Sequence, residues 1–266
     1  MQSTPDQHIC HVAAAGSDVV SGDWCIRRFA PTLMSLPADL QEEDVTRPEL
    51  LLHDEIVRNK RVQIFYTPFD LVNPGAKVLL VGITPGRYQM HQAVMAARGA
   101  LLAGASLDEA IRRANETASF AGPMRSNAIA MLDAIGLAAA LNIDSTATLF
   151  DTDSAIAGST SAVCHAVFVD GVNYTGHGLE KLPIITAFTT QVLGTELALT
   201  PEALVVPFGK AASNAVQGCV DAGYLDRDRC LFGFPHPSGG NGHRAAHFAR
   251  ERQQLTRAVS AWATRP

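Results

Sequence analysis

The chain has 266 residues, of which 47% are hydrophobic, so it can bury a large core and does not have the composition of a disordered protein. No apolar run is long enough to cross a membrane, and the first ten residues lack the cationic start and apolar centre of a signal peptide. The five cysteines are scattered and odd in number, which favours reduced thiols in a cytoplasmic protein that binds no membrane.

The net charge of −5 is unevenly distributed along the chain. Residues 227–266 carry seven arginines and two carboxylates, whereas the rest of the chain carries 14 basic and 24 acidic residues. The overall charge argues mildly against a nucleic acid partner, but the basic C-terminal part has the charge that a phosphate backbone attracts. A solvated basic helix is the alternative interpretation of this segment.

The first part of the chain gives few periodic signals. Residues 1–47 lack a clear period and predict an irregular arm that could contain one helix. Pro48 stands at a plausible first helical position and predicts a helix over 48–57. Alternation over 62–66 predicts a strand, and the apolar run 78–81 predicts a strand buried on both faces.

From residue 88 onward, helices and strands alternate. Ser106 and Glu109 form a capping box, which predicts that a helix begins there. Composition and breakers predict further helices over 88–102, 124–141, 183–193, 210–222 and 244–262, and strands over 162–169, 204–208 and 231–234. This order indicates a three-layer α/β/α fold with a mostly parallel sheet of about four strands. We expect residues 1–60 to be an arm packed on a domain of residues 61–266.

Two strands end in rigid loops rich in Gly and Pro. The strand over 78–81 runs into Gly82-Ile83-Thr84-Pro85-Gly86, and the strand over 231–234 runs towards His236-Pro237-Ser238-Gly239. In open α/β sheets, ligands bind in the crevice outside the carboxyl ends of the strands. Taken alone, each loop could equally be an ordinary turn between a strand and a helix.

Together the two loops resemble the paired active-site motifs of the uracil-DNA glycosylase superfamily. There, a first loop of the type GINPG or GMNPG lies opposite a second of the type HPSP or NPSG. Residues 205–212, Val-Val-Pro-Phe-Gly-Lys-Ala-Ala, resemble the family's third strand, which ends in Gly-Lys/Arg-x-Ala. The three matches occur in the family's order and cover the chain from about Arg61 onward.

The resemblance implies a DNA glycosylase that flips a nucleotide out of the duplex and hydrolyses its N-glycosidic bond. His236 would then donate a hydrogen bond to the oxygen of the departing base. Asn173 would bind the amide edge of the base, with Asp170 as the alternative. Tyr88 or Phe168 could stack on the flipped ring, although core packing is the better interpretation for Phe168. The other implied contacts to substrate or phosphate are Gly82, Ile83, Pro85, Gly86, Ser238, Gly239, Asn241 and Arg244.

Thr84 departs from the family pattern. Many relatives have Asp or Asn there, which orients or activates the attacking water. A Thr hydroxyl can position water but is a poor base, and loss of a general base typically costs about 10²- to 10⁴-fold in rate. Either Thr84 suffices, or Asp170 takes over, or the enzyme is slow.

Gly86 is a second departure, because relatives strict for uracil have Tyr at this position. That Tyr covers the C5 edge of the ring, so Gly86 predicts a pocket that is open beside C5. A modified or damaged pyrimidine with a C5 substituent is therefore the favoured substrate, and plain uracil is the alternative. A hypermodified base of the kind that some phages install would also fit, and its removal would serve defence.

Two functions of other classes stay open: a non-catalytic module that recognises a modified base, and an enzyme acting on nucleotides or sugar phosphates. No C-x-x-C pair is present, so no iron–sulfur cluster is expected. His8, Cys10 and His11 lack an evident fourth zinc ligand. We expect no metal, no cofactor, DNA as the partner, and a monomer.

Overall fold

The computed structural model describes residues 7–8, 23–150 and 155–265. The strands are β1 (Gln7–His8), β2 (Leu51–Val57), β3 (Lys60–Phe65), β4 (Leu71–Val72), β5 (Val78–Gly82), β6 (Ala157–Ser161), β7 (Ala166–Val169), β8 (Val172–Asn173) and β9 (Leu204–Pro207). The α-helices are α1 (Ile26–Ser35), α2 (Arg87–Leu102), α3 (Leu107–Ala118), α4 (Pro123–Ala134), α5 (Leu137–Leu141), α6 (Pro183–Ala187), α7 (Leu193–Leu199), α8 (Gly209–Asp221) and α9 (Arg244–Ala263). A π-helical segment, Phe188–Val192, joins α6 to α7, and short 3₁₀ helices cover Glu42–Asp44, Pro48–Leu50, Thr146–Phe150 and Arg227–Arg229.

The central sheet is parallel, with the strand order β6–β5–β9. Every residue of β5 is buried, because helices cover both faces of the sheet. Leu80 packs on one face among side chains of α4 and α9, and Leu79 packs on the other face among side chains of α7 and α8. The expected three-layer α/β/α fold with a parallel sheet is thus confirmed.

A second, antiparallel sheet with the order β2–β3–β7–β8 lies beside the first. Its β3 follows the period of two: Ile64 packs with Phe188, while Phe65 packs in a cluster formed largely by α1, α2 and α3. The same cluster contains Phe29 of α1 and Met90 of α2. β2, from the expected arm, pairs with β3 of the expected domain, and the boundary near residue 60 stays a prediction.

The predicted helix over 48–57 is wrong. Only Pro48–Leu50 is helical, as one 3₁₀ turn, and β2 follows directly. Arg58 and Asn59 both have positive φ, at 51° and 62°, which is the backbone of a tight hairpin turn. Pairing of β2 with β3 overrides the local signal of Pro48 at a helix start.

The prediction of a strand over 162–169 is wrong for the first half of this range and for the sheet to which the strand belongs. It begins at Ala166 and belongs to the antiparallel sheet, whereas β6, Ala-Gly-Ser-Thr-Ser, is the strand beside β5. The last strand, predicted over 231–234, is reduced to one parallel bridge between Val205 and Cys230. The helix predicted over 124–141 divides at Gly136, whose φ is +83°.

The other predicted strands and helices are confirmed within a few residues at their ends, except that the helix predicted over 183–193 continues to Leu199. Ser106 caps α3 as expected, since its hydroxyl accepts a hydrogen bond from the Glu109 amide at 3.2 Å. In the part of the chain that the structure describes, no helix is both long and apolar enough to cross a membrane.

Candidate active site

A cavity of about 570 Å³ opens at the carboxyl ends of the parallel strands. Gly82 ends β5, Ser161 ends β6, and Gly209 follows β9, so one edge of the sheet supplies three of its walls. The loop after the bridge at Cys230 supplies His236 as a further wall. The two loops singled out in the sequence therefore face one cavity.

His236 is held in one hydrogen-bonding state by its own loop. The Ser238 amide donates to Nδ1 at 3.3 Å, so Nδ1 is the acceptor and, in the neutral ring, Nε2 carries the proton. Burial lowers the pKa of His236 below its ordinary value, which favours the neutral ring at pH 7. The imidazole can thus present one N–H donor to the cavity without a positive charge.

Gly209 makes room for His236. Its φ is +84°, and a Cβ built on it would lie 2.8 Å from the His236 Cβ. Its amide donates to the Phe234 carbonyl at 3.0 Å, which ties the start of α8 to the strand-like segment before His236. The Gly-Lys pair of the third motif therefore brings the end of β9 and the segment before His236 together.

Polar side chains hold the rest of the His236 loop through its carbonyls. Asn241 Nδ2 donates to the His236 carbonyl at 3.0 Å, and Arg244 Nη1 donates to the Ser238 carbonyl at 2.6 Å. Asn127 of α4 donates to the Pro237 carbonyl at 2.9 Å. These three side chains fix the position of the imidazole and do not line the cavity.

Asn173 lies at the mouth of the cavity, where it caps α2. Its Oδ1 accepts from the Arg87 amide at 3.0 Å, which leaves the Nδ2 donors available. The Arg87 guanidinium stacks 4.7 Å above the Phe168 ring and donates to the Gly171 carbonyl at 2.9 Å, so it fixes the turn before Asn173. Phe168 is fully buried, which confirms its interpretation as a core residue.

Gly86 lies beside Asn173 at the start of α2. A Cβ at this position would stand 2.8 Å from Gln89 Oε1 and 3.1 Å from Asn173 Nδ2. Any side chain at position 86 must displace the side-chain amides of Gln89 and Asn173 at the start of α2. The absence of a side chain at Gly86 therefore makes room for Gln89 and Asn173 beside the first loop.

The Thr84 hydroxyl is engaged with backbone. It donates to the His165 carbonyl at 2.7 Å and accepts from the Val167 amide at 3.1 Å. Its proton is thus used within the protein, although Thr84 lines the cavity and keeps one lone pair. The side chain ties the first loop to the start of β7, which is a structural task that the sequence does not reveal.

Three aromatic residues that the sequence reasoning missed, Phe69, Phe120 and Tyr174, line the cavity. The Phe120 backbone has a φ of +51°, and its ring packs edge-on against Phe208 with centroids 4.9 Å apart. A Cβ on Gly82 would lie 3.3 Å from the Phe120 ring, so this glycine admits the ring to the site. The position of Phe120 two residues before the Gly122-Pro123 break was the one available signal.

Three polar residues that the sequence reasoning also missed form a hydrogen-bonded wall, here called the inner wall: Asn115, Ser119 and Ser159. The two serine hydroxyls lie 2.9 Å apart, and each lies 3.3 Å from Asn115 Oδ1. Asn115 and Ser119 come from the end of α3 and Ser159 from β6. No sequence signal marked them, because the small polar β6 does not read as a strand.

No carboxylate lines the cavity among the described residues, whereas Lys210 and His177 are both at its edge. Glu196 lies behind Thr160, and the Thr160 hydroxyl and Glu196 Oε2 are 2.5 Å apart. Burial raises the pKa of Glu196 to about 8, and its Oε1 has no hydrogen-bond partner among the described residues. The interior of the site therefore carries little negative charge at pH 7.

The structure does not bring all the expected residues to the cavity. Asp170 accepts from the Arg61 amide at 2.9 Å in the turn between β7 and β8, and Tyr88 is 45% exposed on α2. Neither of them lines the cavity, and the same holds for Gly239. The expected residues that do line it are Gly82, Ile83, Thr84, Pro85, Gly86, Asn173, His236 and Ser238.

Within the described ranges, no group of three or more His, Cys, Asp or Glu side chains is arranged to hold a metal ion. Cys10 and His11, considered above as zinc ligands, lie outside the described residues.

Comparison with known proteins gives two matches. A model of the uracil DNA glycosylase superfamily matches residues 69–260, a range that contains the first loop, Gly209 and His236. The chain is also similar to the uncharacterized protein YoxB of Bacillus subtilis (strain 168), with 35% identity over 243 residues, which cover 90% of this chain and 93% of that protein. No solved structure matches significantly.

Proposed function

Since the chain belongs to the uracil-DNA glycosylase superfamily, a family that acts on DNA, we propose that it is a glycosylase that releases a modified pyrimidine and leaves an abasic site. The observation that carries the proposal is the neutral His236 ring at a cavity large enough to hold a flipped base. The three family motifs surround this cavity.

Base release proceeds by stabilisation of the leaving group. As the N-glycosidic bond breaks, electrons move to the base and negative charge develops on its oxygen, while the sugar becomes oxocarbenium-like. His236 Nε2–H donates to that oxygen from a position held by three loop contacts, so little reorganisation is needed. The low pKa of His236 keeps the ring neutral, and the hydrogen bond strengthens as the charge on the base grows.

Asn173 donates from Nδ2 to a carbonyl oxygen of the base. Its Oδ1 already accepts from the Arg87 amide, so the available groups favour recognition of an acceptor. Ser238 and Lys210, at the edge of the cavity, bind phosphate of the flipped nucleotide. The arginines of α9 add the electrostatic attraction for the rest of the DNA backbone.

Water attacks the sugar without a strong base. The Thr84 lone pair accepts one hydrogen from the water and orients it, but the hydroxyl is already committed to His165 and Val167. The oxocarbenium ion is itself a strong electrophile, so orientation is sufficient for capture, and the proton that the water loses neutralises the anionic base. Asp170, bound to Arg61, takes no part.

The size of the cavity supports a substrate larger than uracil. Its volume of about 570 Å³ lies within the range of pockets that hold drug-sized ligands. Gly86 leaves the first loop without a side chain at the position where stricter relatives have Tyr. A C5-substituted pyrimidine fits a cavity of this size, and a hypermodified phage base would make excision a defence function.

The test is base release measured by mass spectrometry. DNAs that carry uracil, thymine mispairs, 5-hydroxymethyluracil or glycosylated cytosine are incubated with the wild type, with His236→Ala, and with Ser260→Ala as the control. Ser260 is exposed on α9 and bonds only its own helix, at the Thr256 carbonyl. We expect the wild type and Ser260→Ala to release the base. Release by His236→Ala should be at least 100-fold slower, because removal of one such donor costs about 10²- to 10³-fold in rate.

A non-catalytic reader of modified bases is the second candidate. The absence of a carboxylate from the described cavity lining, together with the engaged Thr84 hydroxyl, favours it. Tight binding of a modified DNA, with no base release from any substrate, would mean that the protein is such a reader and not a glycosylase.

A further inference from the structure

A second cavity, of about 300 Å³, lies at the opposite end of the parallel sheet and takes no part in the chemistry proposed for His236. Its described lining shares no residue with that of the first cavity. The segments that lead into β5, into β9 and into the bridge at Cys230 all contribute to it. We call it the amino-end cavity, and its lining includes Lys77, Leu141, Glu202, Arg229, Trp262 and Arg265.

Arg229 brings a buried positive charge to the amino-end cavity. Only 8% of the residue is exposed, and its guanidinium donates to two carbonyls, from Nε to Ala203 at 3.2 Å and from Nη2 to Thr200 at 2.5 Å. Carbonyls fix the group but do not neutralise it, and burial lowers the pKa of Arg229. Among the described residues, no carboxylate forms an ion pair with it and Nη1 has no hydrogen bond, although buried charges are usually paired. The guanidinium therefore has a charge and one nitrogen left for an anion.

Lys77 adds a second cation from a fixed point of the sheet. Its carbonyl accepts from the Leu204 amide at 2.8 Å, so its backbone is held beside the start of β9. Its exposed side chain forms no ion pair or hydrogen bond within the described part of the chain. The third cation, Arg265, is already paired with Asp228 at 3.2 Å. Two positive charges, those of Lys77 and Arg229, are thus available to a ligand.

The rest of the lining is mostly apolar and includes one carboxylate. Trp262 packs against the core below the sheet, and its Nε1 donates to the Glu202 carbonyl at 3.4 Å, which fixes the indole at the cavity. Leu141 and Pro201 add apolar surface. The exposed carboxylate of Glu202 can accept hydrogen bonds from hydroxyl groups. A ligand that uses all of these groups has a doubly charged anionic end, an apolar ring and hydroxyls.

We propose that the amino-end cavity binds a small phosphate monoester that carries a ring and hydroxyls, of the size of a nucleoside monophosphate. The two available cations match a phosphate monoester, which carries close to two negative charges at neutral pH, better than a carboxylate, which carries one. About 300 Å³ is the lower end of the range for ligand pockets, and an inorganic phosphate ion would leave most of it unfilled. Arg229 and Lys77 bond the phosphate oxygens, and Trp262 contacts the ring. The inference goes beyond the glycosylase function and does not depend on it.

Isothermal titration calorimetry with adenosine 5′-monophosphate tests the site. A purine nucleotide is used because a pyrimidine nucleotide could enter the first cavity. The proteins are the wild type, Lys77→Met, Lys77→Glu, and Lys210→Met as the matched control at the edge of the first cavity. We expect the wild type and Lys210→Met to bind the nucleotide equally, with a Kd below about 1 mM. Lys77→Met should bind at least about 10-fold more weakly, since a hydrogen bond between charged groups is worth a factor of roughly 10 to 100.

Lys77→Glu reverses the charge at the cavity and is expected to abolish binding of the nucleotide. The Lys77 side chain bonds no described residue, so both variants at this position should match the wild type in urea denaturation. Adenosine and inorganic phosphate are titrated separately into the wild type. Each should bind at least about 10-fold more weakly than the nucleotide, because each lacks one of its two parts.

Four outcomes would overturn the site. They are a Kd above about 1 mM for the wild type, an unchanged Kd in Lys77→Met, inorganic phosphate that binds as tightly as the nucleotide, and binding that is lost in Lys210→Met instead. A single-stranded oligonucleotide that displaces the nucleotide from the wild type would make the cavity a contact for the DNA backbone and overturn the small-molecule site. None of these measurements uses base release, so failure of the proposed glycosylase function is distinguishable from failure of this inference.

Discussion

Gly209 and His236 approach so closely that a single Cβ on Gly209 would lie 2.8 Å from the His236 Cβ. Backbone atoms of His236 also lie within 3.4 Å of that position, so the contact is not with a flexible end of a side chain. The left-handed backbone at Gly209 and the position of the imidazole are therefore linked. This contact explains why a glycine precedes Lys210 at the start of α8.

Gly209→Ala is expected to displace His236 and to destabilise the fold. A non-glycine residue at φ of +84° costs about 1–2 kcal/mol, and displacement of a catalytic donor by about 1 Å can cost 100-fold in rate. Base release and urea denaturation measure the two effects. The matched control is Gly218→Ala in the same helix, where a Cβ meets nothing within 4 Å.

The control is expected to keep full activity and to gain up to about 1 kcal/mol in stability, since alanine is the better helix former. Equal activities of the two variants would mean that the His236 loop is free to move away from α8.

Thr84→Val is expected to lower stability more than it lowers the rate of a folded protein. It removes the donor to the His165 carbonyl and the acceptor of the Val167 amide, and each unsatisfied backbone group costs about 1–3 kcal/mol. Thr84→Ser keeps both bonds and should match the wild type in both measurements. A rate loss of 100-fold or more in Thr84→Val with unchanged urea denaturation would instead mean that the hydroxyl acts mainly on the attacking water and contributes little to holding the backbone.

Arg244→Ala is expected to weaken catalysis without changing the salt dependence of DNA binding. Arg244 Nη1 donates to the Ser238 carbonyl at 2.6 Å, so its loss loosens the loop that carries His236. A phosphate contact would contribute about one unit to the slope of log K against log salt concentration. Fluorescence anisotropy over a salt series measures that slope, and base release measures the rate.

Arg250→Ala supplies the comparison, because Arg250 is exposed on the same helix. If it binds phosphate, its removal lowers the slope and leaves the single-turnover rate unchanged at saturating DNA. A lower slope for Arg244→Ala would restore Arg244 to the direct DNA contact that the sequence suggested.

The sequence predicted best what strong local patterns determine. The apolar run before Gly82 and the two loops with Gly and Pro identified β5, the cavity edge and His236. The sequence could not predict β6, because its residues Ala157–Ser161 are small and mostly polar, and only Thr160 among them is buried. Ser159 belongs to that strand, so the inner wall was missed with it.

The role of each residue in the site was harder to predict than its presence there. Thr84, Asn241 and Arg244 were expected to act on water or DNA, yet each holds a backbone group of a loop. Polar side chains in a rigid loop are needed as much to satisfy its carbonyls and amides as to meet a ligand, and only the fold shows which task each performs. Asn173 was chosen because the second strand of the family delivers an Asn; it lines the cavity although β7 belongs to the antiparallel sheet, and its role stays a prediction.

Glu196 gives the stability of this protein a pH dependence that one substitution should remove. Burial raises its pKa to about 8 from 4.5, so the folded state binds a proton that the unfolded chain releases between these values. Stability from the neutral carboxyl is therefore fully present below pH 4.5 and is lost as pH rises through 8. At about 1.4 kcal/mol per pKa unit, the loss is on the order of 5 kcal/mol at most.

Glu196→Gln keeps a partner for the Thr160 hydroxyl and cannot ionise, so it should become more stable than the wild type as pH rises from 5 to 9. Urea denaturation of both proteins over this range gives the difference in unfolding free energy, in which the titrations of other groups cancel. Cys219, whose thiol interacts with this carboxyl, has a pKa raised by burial to about 12 and does not titrate in the window. Glu202→Gln, at an exposed position, should follow the wild type at every pH. A constant difference between Glu196→Gln and the wild type would mean that the carboxyl does not change its protonation between pH 5 and 9.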